Sequence, residues 1–415
     1  MKKMAQYICS IENADCNRKT VLVRVDLNIS MHEGLACDLS RLLQIKETVL
    51  SLIKKEAKVI LISHFGRPKQ YLSLSEQHSE IPDTISDMSL AKVLPYLSEV
   101  LECDVKFASS CIGEIAKKAV NELDFGQVLL LENLRFFHEE EACDLNFAKM
   151  LADLADCYVN EAFSCSHRKH ASIVGVCRFL PSYSGIAFKK ELAFLQNLID
   201  VEQKPSMLIV GGKKVSTKLK VLNSIIPKFE RVFIAGGMAN TFLKASGFDI
   251  KDSFFEPEML VHAQKILATY DDKIILPSDF VVQTSDNTIE ICCLSNIPTG
   301  AAIMDIGPQS LIKISHTIEG MEQILWNGPL GIFENPYFDN STKFIARYIA
   351  SLTMLGGVIS IAGGGDTMAA INSAGVLKSF SYVSTAGGAF LEFLENATLP
   401  GILALISKNY SIEDA

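Results

Sequence analysis

Short apolar runs bounded by turn residues, alternating with stretches of helical periodicity, constrain the fold of this chain more than any other feature. Between the first two runs apolar residues recur at spacings of three and four, which predicts an amphipathic helix over 40–55 with Ser40 as its N-cap. The alternation indicates repeated strand, helix, strand units and an α/β fold. The runs are TVLVRVDL (20–27), AKVILIS (57–63), GQVLLLE (126–132), SMLIVGG (206–212), RVFIAGG (231–237), EQILWNG (322–328) and GGVISIAGGG (356–365).

The length of 415 residues is about twice what one hydrophobic core usually supports, so we expect two domains. The apolar fraction of 48% favours strands buried on both faces, as in parallel sheets covered by helices. Residues 184–200 have a helical pattern and precede a fresh set of strands, which predicts an interdomain helix there. The polar stretch 69–89 lacks periodicity and is predicted to be a surface loop.

Net charge and cysteine usage limit the partners and the compartment. The charge of -9 predicts that the chain binds neither nucleic acid nor an anionic membrane. The sequence has no apolar run of about 18 residues and no signal-peptide pattern, so we expect no membrane association. Eleven cysteines without C-x-x-C spacing argue against a disulfide framework and favour reduced thiols in the cytoplasm.

Arginine and glycine are distributed unevenly along the chain. Seven of nine arginines lie before residue 180, and nineteen of twenty-five glycines lie after residue 200. Guanidinium groups grip phosphate and carboxylate, whereas glycine lets backbone amides approach a pyrophosphate. The first half is therefore predicted to bind a small anion and the second half a nucleotide.

Four segments of the first half place polar or cationic side chains directly after apolar runs. Ligands of open α/β sheets bind at the carboxyl ends of strands, so these side chains are expected to converge. One such histidine or arginine is more often structural, but several together favour a site. The segments are VRVDLN (23–28), SHFGRP (63–68), ENLRF (132–136) and NEAFSCSHR (160–168). The candidate residues are Asp26, Asn28, His64, Arg67, Arg135 and Arg168.

Arg41 stands in the first turn of its predicted helix, where the helix macrodipole disfavours a cation. A bound anion nearby would resolve this conflict. Exposure to water or pairing with Asp38 would resolve it equally well, and the sequence leaves both interpretations open.

Glycine-rich turns of the second half offer backbone amides at helix starts. The segment IAGGGDT (361–367) ends a strand and opens a helix, and Asp366 is predicted to cap that helix in a geometry suited to phosphate with magnesium. In GGKKVSTK (211–218), Lys214 and Lys218 are four apart and are predicted to share a helical face. Glu334 could accept hydrogen bonds from ribose hydroxyls. Neither a P-loop nor a G-x-G-x-x-G fingerprint occurs, and zinc-type clusters and G-x-S-x-G are also missing.

Taken in order, these segments resemble the phosphoglycerate kinase family from about residue 20 to residue 401. The resemblance implies two doubly wound parallel-sheet, Rossmann-like domains joined by a hinge helix. An N-terminal phosphoglycerate-binding domain (1–183) would be followed by the helix 184–200 and a nucleotide-binding domain (201–401). The tail 402–415 would pack back on the first domain.

The resemblance also implies roles for individual residues. Phosphoryl transfer would use Arg41, Lys214, Lys218 and Gly365. Acid-substrate binding would use Asp26, Leu27, Asn28, Arg41, His64, Phe65, Gly66, Arg67, Arg135 and Arg168. Nucleotide binding would use Gly212, Lys218, Gly236, Asn327, Glu334, Gly364, Gly365, Asp366 and Thr367, with Mg²⁺ on Asp366. Departures from the family's usual residues are Lys213, Asn240, Ser164–Ser166 and Ala386.

The implied reaction is reversible transfer of a phosphoryl group between 1,3-bisphosphoglycerate and ADP, giving 3-phosphoglycerate and ATP, in glycolysis and gluconeogenesis. It implies a Mg²⁺-dependent monomer that closes about its hinge. A non-enzymatic two-domain anion binder is the alternative, and it would need neither Asp366 nor the glycine turn. An NAD-dependent oxidoreductase ranks third because its fingerprint is missing.

Overall fold

The computed structural model describes residues 7–29, 31–32, 35–36, 39–68, 72, 87–199, 204–216, 218–384 and 386–406. By its internal contacts the chain divides into two compact units. The first comprises Met1–Leu198 with Ala397–Ala415, and the second comprises Ile199–Asn396. Each unit is built on a six-stranded parallel sheet with helices, which confirms the predicted α/β class.

The first unit places the earliest strand near the middle of its sheet. Its strands are β1 (Thr20–Arg24), β2 (Met31–His32), β3 (Leu35–Ala36), β4 (Lys58–Ile62), β5 (Val105–Ala108), β6 (Val128–Leu131), β7 (Cys157–Asn160) and β8 (Ser182–Ser184). The parallel sheet has the order β5-β6-β4-β1-β7-β8, and β2 with β3 forms a short antiparallel ribbon. Because the strand order reverses at β1, the sheet is doubly wound, and ligands are expected at the carboxyl edge there.

Six helices of the described chain precede the second sheet. They are α1 (Ser40–Lys54), α2 (Leu94–Leu101), α3 (Gly113–Asn121), α4 (His138–Glu141), α5 (Leu145–Ala152) and α6 (Ile186–Ile199). Helix α1 confirms the predicted amphipathic helix, since Leu42, Ile45, Val49 and Leu52 are buried. Its N-cap is Leu39, without a side-chain hydrogen bond, so the prediction that Ser40 caps the helix is wrong. Ser40 is instead the first helical residue.

Burial on both faces explains why the strands read as continuous apolar runs. Val21, Leu22 and Val23 of β1 are all fully buried, and the neighbouring strands β4 and β7 pair with β1 in parallel register. A strand with one solvated face would alternate apolar and polar residues. The apolar runs therefore specify the interior of the sheet, and their polar ends specify its carboxyl edge.

The second unit repeats this plan and adds an antiparallel sheet. Its strands are β9 (Ser206–Val210), β10 (Arg231–Ile234), β11 (Ile274–Ile275), β12 (Asp279–Gln283), β13 (Ile289–Cys293), β14 (Ala302–Ile306), β15 (Gln323–Asn327), β16 (Ile359–Gly363) and β17 (Tyr382–Ser384). The parallel order is β11-β10-β9-β15-β16-β17, and β13-β12-β14 forms the antiparallel sheet. The seven predicted runs all contain strands of the two parallel sheets.

The helices of the second unit follow its strands. They are α7 (Leu219–Ile225), α8 (Gly236–Ala245), α9 (Leu260–Thr269), α10 (Pro308–Glu319), α11 (Asn340–Met354), α12 (Gly365–Ser373) and α13 (Gly388–Asn396). The chain then returns to the first unit through α14 (Pro400–Leu405), where the Gly401 amide donates to the Ser166 carbonyl at 2.8 Å. Ile406 bridges to Ile8.

Two stretches treated in the sequence fall outside the described residues. These are the tail beyond 406 and nearly all of the loop predicted over 69–89, of which residue 72 and residues 87–89 are described. Within the described residues, no helix combines the length and the apolar character needed to cross a membrane.

The buried carboxylate of Glu161 binds the first amides of α6, the helix that the sequence predicts between the domains. Glu161, just after β7, accepts hydrogen bonds from the amides of Ala187 at 3.0 Å and Phe188 at 2.9 Å. The Thr48 hydroxyl on α1 donates to Glu161 at 2.5 Å and accepts from the Ile186 amide at 2.8 Å. Together these two side chains satisfy the first amides of α6, which have no partner within the helix.

We expect Glu161→Ala to lower the free energy of unfolding by about 3 kcal/mol, because the Thr48 hydroxyl and the amides of Ala187 and Phe188 all lose their acceptor. Urea denaturation followed by circular dichroism measures the change. Glu47→Ala is the matched control, since Glu47 forms an exposed ion pair with Lys190 of the same helix at 2.5 Å. That pair should contribute less than about 1 kcal/mol. Equal losses in the two variants would contradict the capping role.

Candidate active site

The carboxyl ends of β1 and β4 bring four of the predicted residues into direct contact. Arg41 Nη1 donates to Asp26 Oδ2 at 2.6 Å and to the Asn28 carbonyl at 3.0 Å. The Asn28 side-chain oxygen accepts from the Gly66 amide at 2.8 Å. Asp26 therefore partners the first-turn cation, and Asp38, the partner considered from sequence, lies outside the described residues.

His64 lies beside this cluster as a buried, uncharged ring. Its side chain is 3% exposed. Burial lowers the pKa of His64 well below its usual value, and the positive charges of Arg24, Arg135, Arg168 and Arg41 lower it further. A neutral imidazole can both donate and accept a hydrogen bond.

Three predicted arginines converge on one cavity of about 260 Å³. The cavity is lined by Arg67, Pro68, Arg135, Glu141, Arg168 and His170. Arg135 donates to the Gly66 carbonyl at 2.7 Å, and its Nε lies 3.1 Å from a Glu141 carboxylate oxygen. Burial and the nearby charge of Arg168 lower the pKa of Arg135. Such a pocket of guanidinium groups suits a phosphate or carboxylate.

Leu27 and Phe65 have buried side chains, and their backbone amides are hydrogen-bonded to neighbouring segments of the site. The Leu27 amide donates to the Ser63 hydroxyl at 2.9 Å. The Phe65 amide donates to the Asn133 side-chain oxygen at 3.0 Å. Ser63 and Asn133 were not among the predicted site residues. Their position in the same strand-end segments, SHFGRP and ENLRF, was the signal that could have identified them.

Ser164 and Arg24 also support the site without having been predicted in it. Ser164, at a position where the chain departs from the family run, donates to Asp26 at 2.5 Å. Arg24 lies within 3.2 Å of His64. The donor atoms of Asp26, His64 and Cys165 all fall within 4.8 Å of one another, but the surrounding arginines disfavour a cation there.

In the second unit, a cavity of about 310 Å³ collects four of the predicted nucleotide residues. These are Gly212, Gly236, Glu334 and Asp366. The remaining walls include apolar side chains such as Phe280, Ile303 and Leu330, together with the departure residues Lys213 and Asn240. An apolar cavity with a few polar groups at its edge is the usual form of a small-molecule site.

The glycine turn 363–365 is held by side chains that were expected to bind the ligand. The buried Thr367 hydroxyl donates to the Gly363 carbonyl at 2.8 Å and accepts from the Gly328 amide at 2.7 Å. Asn327 donates to the same carbonyl at 2.6 Å. The Thr367 hydroxyl is thus occupied by structural bonds, while the amides of the first turn of α12 have no partner within the helix.

Gly364, rather than Asp366, is the N-cap of α12. Its φ of +101° is a conformation that L residues rarely adopt, and a Cβ there would lie 2.9 Å from the Asn327 side-chain nitrogen. The prediction that Asp366 caps the helix is therefore wrong. Asp366 stands exposed in the first turn, and no hydrogen bond joins its carboxylate to any residue in the described ranges.

Lys218 is a largely buried amine at the carboxyl ends of β9 and β15. Its Nζ donates to the carbonyls of Gly211 at 2.8 Å and Asn327 at 3.2 Å. Burial lowers the pKa of Lys218 to about 8, and the charge of Asp366 opposes this shift. The amine is therefore close to titrating in the range where enzymes work.

Lys214 and Lys218 do not share a helical face, contrary to the sequence prediction. Helix α7 begins at Leu219, with Lys218 as its N-cap, and the described residues of 211–218 form turns. Lys214 is exposed. Because the helix begins only after Lys218, the spacing of four residues gives the two lysines no common helical face.

A doubly wound sheet with an arginine-lined anion pocket, and a second with a glycine-lined cavity, define a two-domain kinase of small molecules. A profile of the phosphoglycerate kinase family matches residues 11–397. The chain belongs to this family. It is accordingly an enzyme, a phosphotransferase that uses ATP and ADP, and its family's activity is phosphoglycerate kinase activity.

Individual relatives match over nearly their whole length. The chain is 44% identical over 404 residues to the phosphoglycerate kinase of Wolbachia pipientis wMel, which covers 96% of this chain and 98% of that protein. It is 43% identical over 403 residues to that of Bartonella bacilliformis, with coverage of 96% and 98%. The structure of the Coxiella burnetii phosphoglycerate kinase superposes with a TM-score of 0.82 at 33% identity, covering 96% of this chain and 98% of that one. The non-enzymatic binder is therefore not favoured.

Glu141 forms an ion pair with Arg135 and so competes with any anion that binds in the pocket. We expect Glu141→Gln to tighten the binding of inorganic sulfate by roughly twofold to fivefold, the effect of removing one partly exposed ion pair. Isothermal titration at low salt measures the dissociation constant. Glu122→Gln makes the same charge change on an exposed ion pair with Lys118 and should leave sulfate binding unchanged. Equal effects in both variants would indicate a general charge effect only.

Proposed function

We propose that this chain transfers a phosphoryl group between 1,3-bisphosphoglycerate and ADP using the two sites described above. The observation that carries the proposal is the division of charge between them. One unit gathers Arg67, Arg135 and Arg168 around an anion-sized cavity. The other gathers glycine turns around a cavity with apolar walls, and the exposed carboxylates of Glu334 and Asp366 are among its lining residues. The first suits a phosphorylated acid and the second suits a nucleotide.

On the acid side, the arginine pocket takes the phosphate that does not react. Asp26, Asn28 and His64 orient the rest of the phosphoglycerate, with backbone groups of Leu27, Phe65 and Gly66 completing the wall. Arg41 is proposed to face the transferring group. Its guanidinium is fixed by Asp26 and the Asn28 carbonyl, so the cation is oriented before substrate binds.

On the nucleotide side, Gly212 and Gly236 border the cavity proposed for the base, and Glu334 accepts from ribose hydroxyls. The first-turn amides of α12, from Gly365 onward, donate to the phosphates. Lys214 and Lys218 supply positive charge to the same groups. In this proposal Thr367 and Asn327 act by holding the glycine turn, since their side chains bond the Gly363 carbonyl.

Asp366 fits a magnesium ion that arrives with the nucleotide. Mg²⁺ in kinases is usually held by one or two carboxylates together with substrate phosphates. The Asp366 carboxylate is exposed, lines the cavity and stands at the helix start where phosphates are proposed to bind. When bound, the ion neutralises charge on the phosphate oxygens.

The chemistry requires no general base on this chain. In the ATP-consuming direction the nucleophile is the carboxylate of 3-phosphoglycerate, which is already ionised at neutral pH. The protein's contribution is to position the reactants and cancel charge on the equatorial oxygens of the moving group. Arginine, lysine and backbone amides, the groups of this site, perform that task.

Transfer further requires the acid and the nucleotide to come within bonding distance while water is excluded. Because the two sets of residues belong to different units, we propose that closure about the helix α6 region gates each turnover. We also propose a monomer acting in the cytoplasm. The compartment is supported by the ten cysteines of the described residues, all of which are free thiols.

A coupled assay with ATP and 3-phosphoglycerate, run with and without Mg²⁺, tests the function directly. We expect Mg²⁺-dependent turnover, and Arg41→Ala should lower kcat by roughly 10² to 10³-fold, as loss of one preorganised donor does. Arg178→Ala, an exposed arginine of the same unit, is the control and should retain wild-type turnover. Unchanged kcat in the Arg41 variant would remove this residue from the chemistry, and no turnover in wild type would refute the proposal.

Lys218 should set the alkaline limit of activity. Its ammonium loses a proton as pH rises through about 8, so kcat/KM for the nucleotide should fall above that pH. Lys218→Arg should move the fall to higher pH, because a guanidinium stays charged. Steady-state rates between pH 6 and 10 measure this limb. Lys265→Arg, at an exposed position on α9, should leave it in place. If the fall in kcat/KM stays at the same pH in the Lys218 variant, the fall reports the titration of another group.

A further inference from the structure

The two ring nitrogens of His64 face different surroundings. Nδ1 lies 3.2 Å from Nη2 of Arg24 and 3.9 Å from the Cys165 sulfur. An arginine can only donate, so the Nδ1 lone pair must accept. The neutral ring then carries its hydrogen on Nε2. Within the described part of the chain no hydrogen bond joins Nε2 to a protein group, so this donor is left for a ligand.

Arg24 cannot turn away from this role, because every side of its guanidinium is held. The residue is 1% exposed. Its Nε donates to the Ser172 hydroxyl at 2.9 Å, and its Nη1 donates to the Val25 carbonyl. Ser172 is fixed in turn by the fully buried Glu140, to which its hydroxyl donates at 2.6 Å and its amide at 2.9 Å.

We propose that Arg24 is a positioning residue that locks His64 in the neutral tautomer with hydrogen on Nε2, so that His64 offers the acid substrate one uncharged, directed donor. The identity of the acceptor rests on the proposed function. The tautomer does not, since it follows from the Arg24 contact alone.

The charged groups around the ring support a neutral state over the working pH range. Cations come from β1 (Arg24), from α1 (Arg41) and from the segments after β6 and β7 (Arg135 and Arg168). The Asp26 carboxylate and the Cys165 thiol are close to the ring as well, and Asp26 is bonded to Arg41. A second proton on the ring would face these cations and displace the Nδ1 contact. His64 should therefore contribute no titration to substrate binding near pH 6.5, where an ordinary histidine ionises.

Nitrogen NMR of the ligand-free full chain tests the tautomer without reference to activity. With ¹⁵N-labelled histidine, the His64 signals are assigned by their loss in His64→Gln. We expect an unprotonated Nδ1 and a protonated Nε2, unchanged from pH 5.5 to 8. A hydrogen on Nδ1, or an imidazolium near pH 6.5, overturns the proposal.

Two amide substitutions separate donation at Nε2 from simple packing. His64→Gln places an amide nitrogen near the position of Nε2, whereas His64→Asn places one near Nδ1. We expect kcat/KM for 3-phosphoglycerate to fall roughly tenfold further in the Asn variant than in the Gln variant, the effect of losing one hydrogen bond to a charged group. Equal losses contradict donation from Nε2. The expected NMR result with no turnover in wild type would instead count against the proposed function and leave the tautomer intact.

Arg24→Met removes the lock itself. His64 should then gain access to its second tautomer and to the charged state, so KM for 3-phosphoglycerate should acquire a pH dependence between 5.5 and 8, with tighter binding at lower pH. A pH-independent KM in a folded variant contradicts the proposal. Should the variant not fold, the wild-type NMR spectrum and the His64 pair decide the question.

Discussion

Mutual repulsion among the cations of the first unit is the constraint on which its site depends. A pocket that will bind a polyanion must hold several guanidinium groups close together before the ligand arrives. The structure answers this with fixed internal acceptors. Arg41 donates to Asp26, and Arg24 reaches the buried Glu140 through Ser172. Arg135 donates to the Gly66 carbonyl and forms an ion pair with Glu141. These acceptors hold the guanidinium groups in place, so the ligand meets donors that are already oriented.

The second unit also has to attract an anionic ligand, and it does so mainly with backbone dipoles in place of charged side chains. Its glycine turns present amides at the start of α12, and the half-buried Lys218 is held between two backbone carbonyls. Amides exert no long-range repulsion on one another, so the turn needs no carboxylate to stabilise it. This leaves Asp366 exposed, in contrast to Asp26, whose carboxylate is bonded to Arg41 and Ser164.

The sequence predicted the strands β1, β4 and β6 of the first parallel sheet and β9, β10, β15 and β16 of the second, because strands buried on both faces are written as continuous apolar runs. It gave no run for the other strands of these sheets, which are β5, β7, β8, β11 and β17. It missed the antiparallel sheet, whose edge strand β13 is mostly exposed and has no such run. Residue types at strand ends predicted the arginine pocket. Errors arose where backbone geometry decides: Ser40 and Asp366 resemble caps by type, but Leu39 and Gly364 occupy the cap positions.

Residues that hold the site in place were harder to predict than residues that face the ligand. A hydrogen bond between two distant segments of the chain leaves no periodic pattern in the sequence. Arg24 shows the difficulty, because nothing in its sequence position within the apolar run of β1 indicates that its guanidinium is bonded within the protein on every side. A neutral His64 is the physical counterpart of this arrangement. Four guanidinium groups surround the ring, so a positive charge on it would add electrostatic repulsion to the pocket. A neutral ring can donate a directed hydrogen bond to the ligand without this added repulsion. The neutral state of His64 is therefore as important to anion binding in this pocket as the charges of the arginines around it.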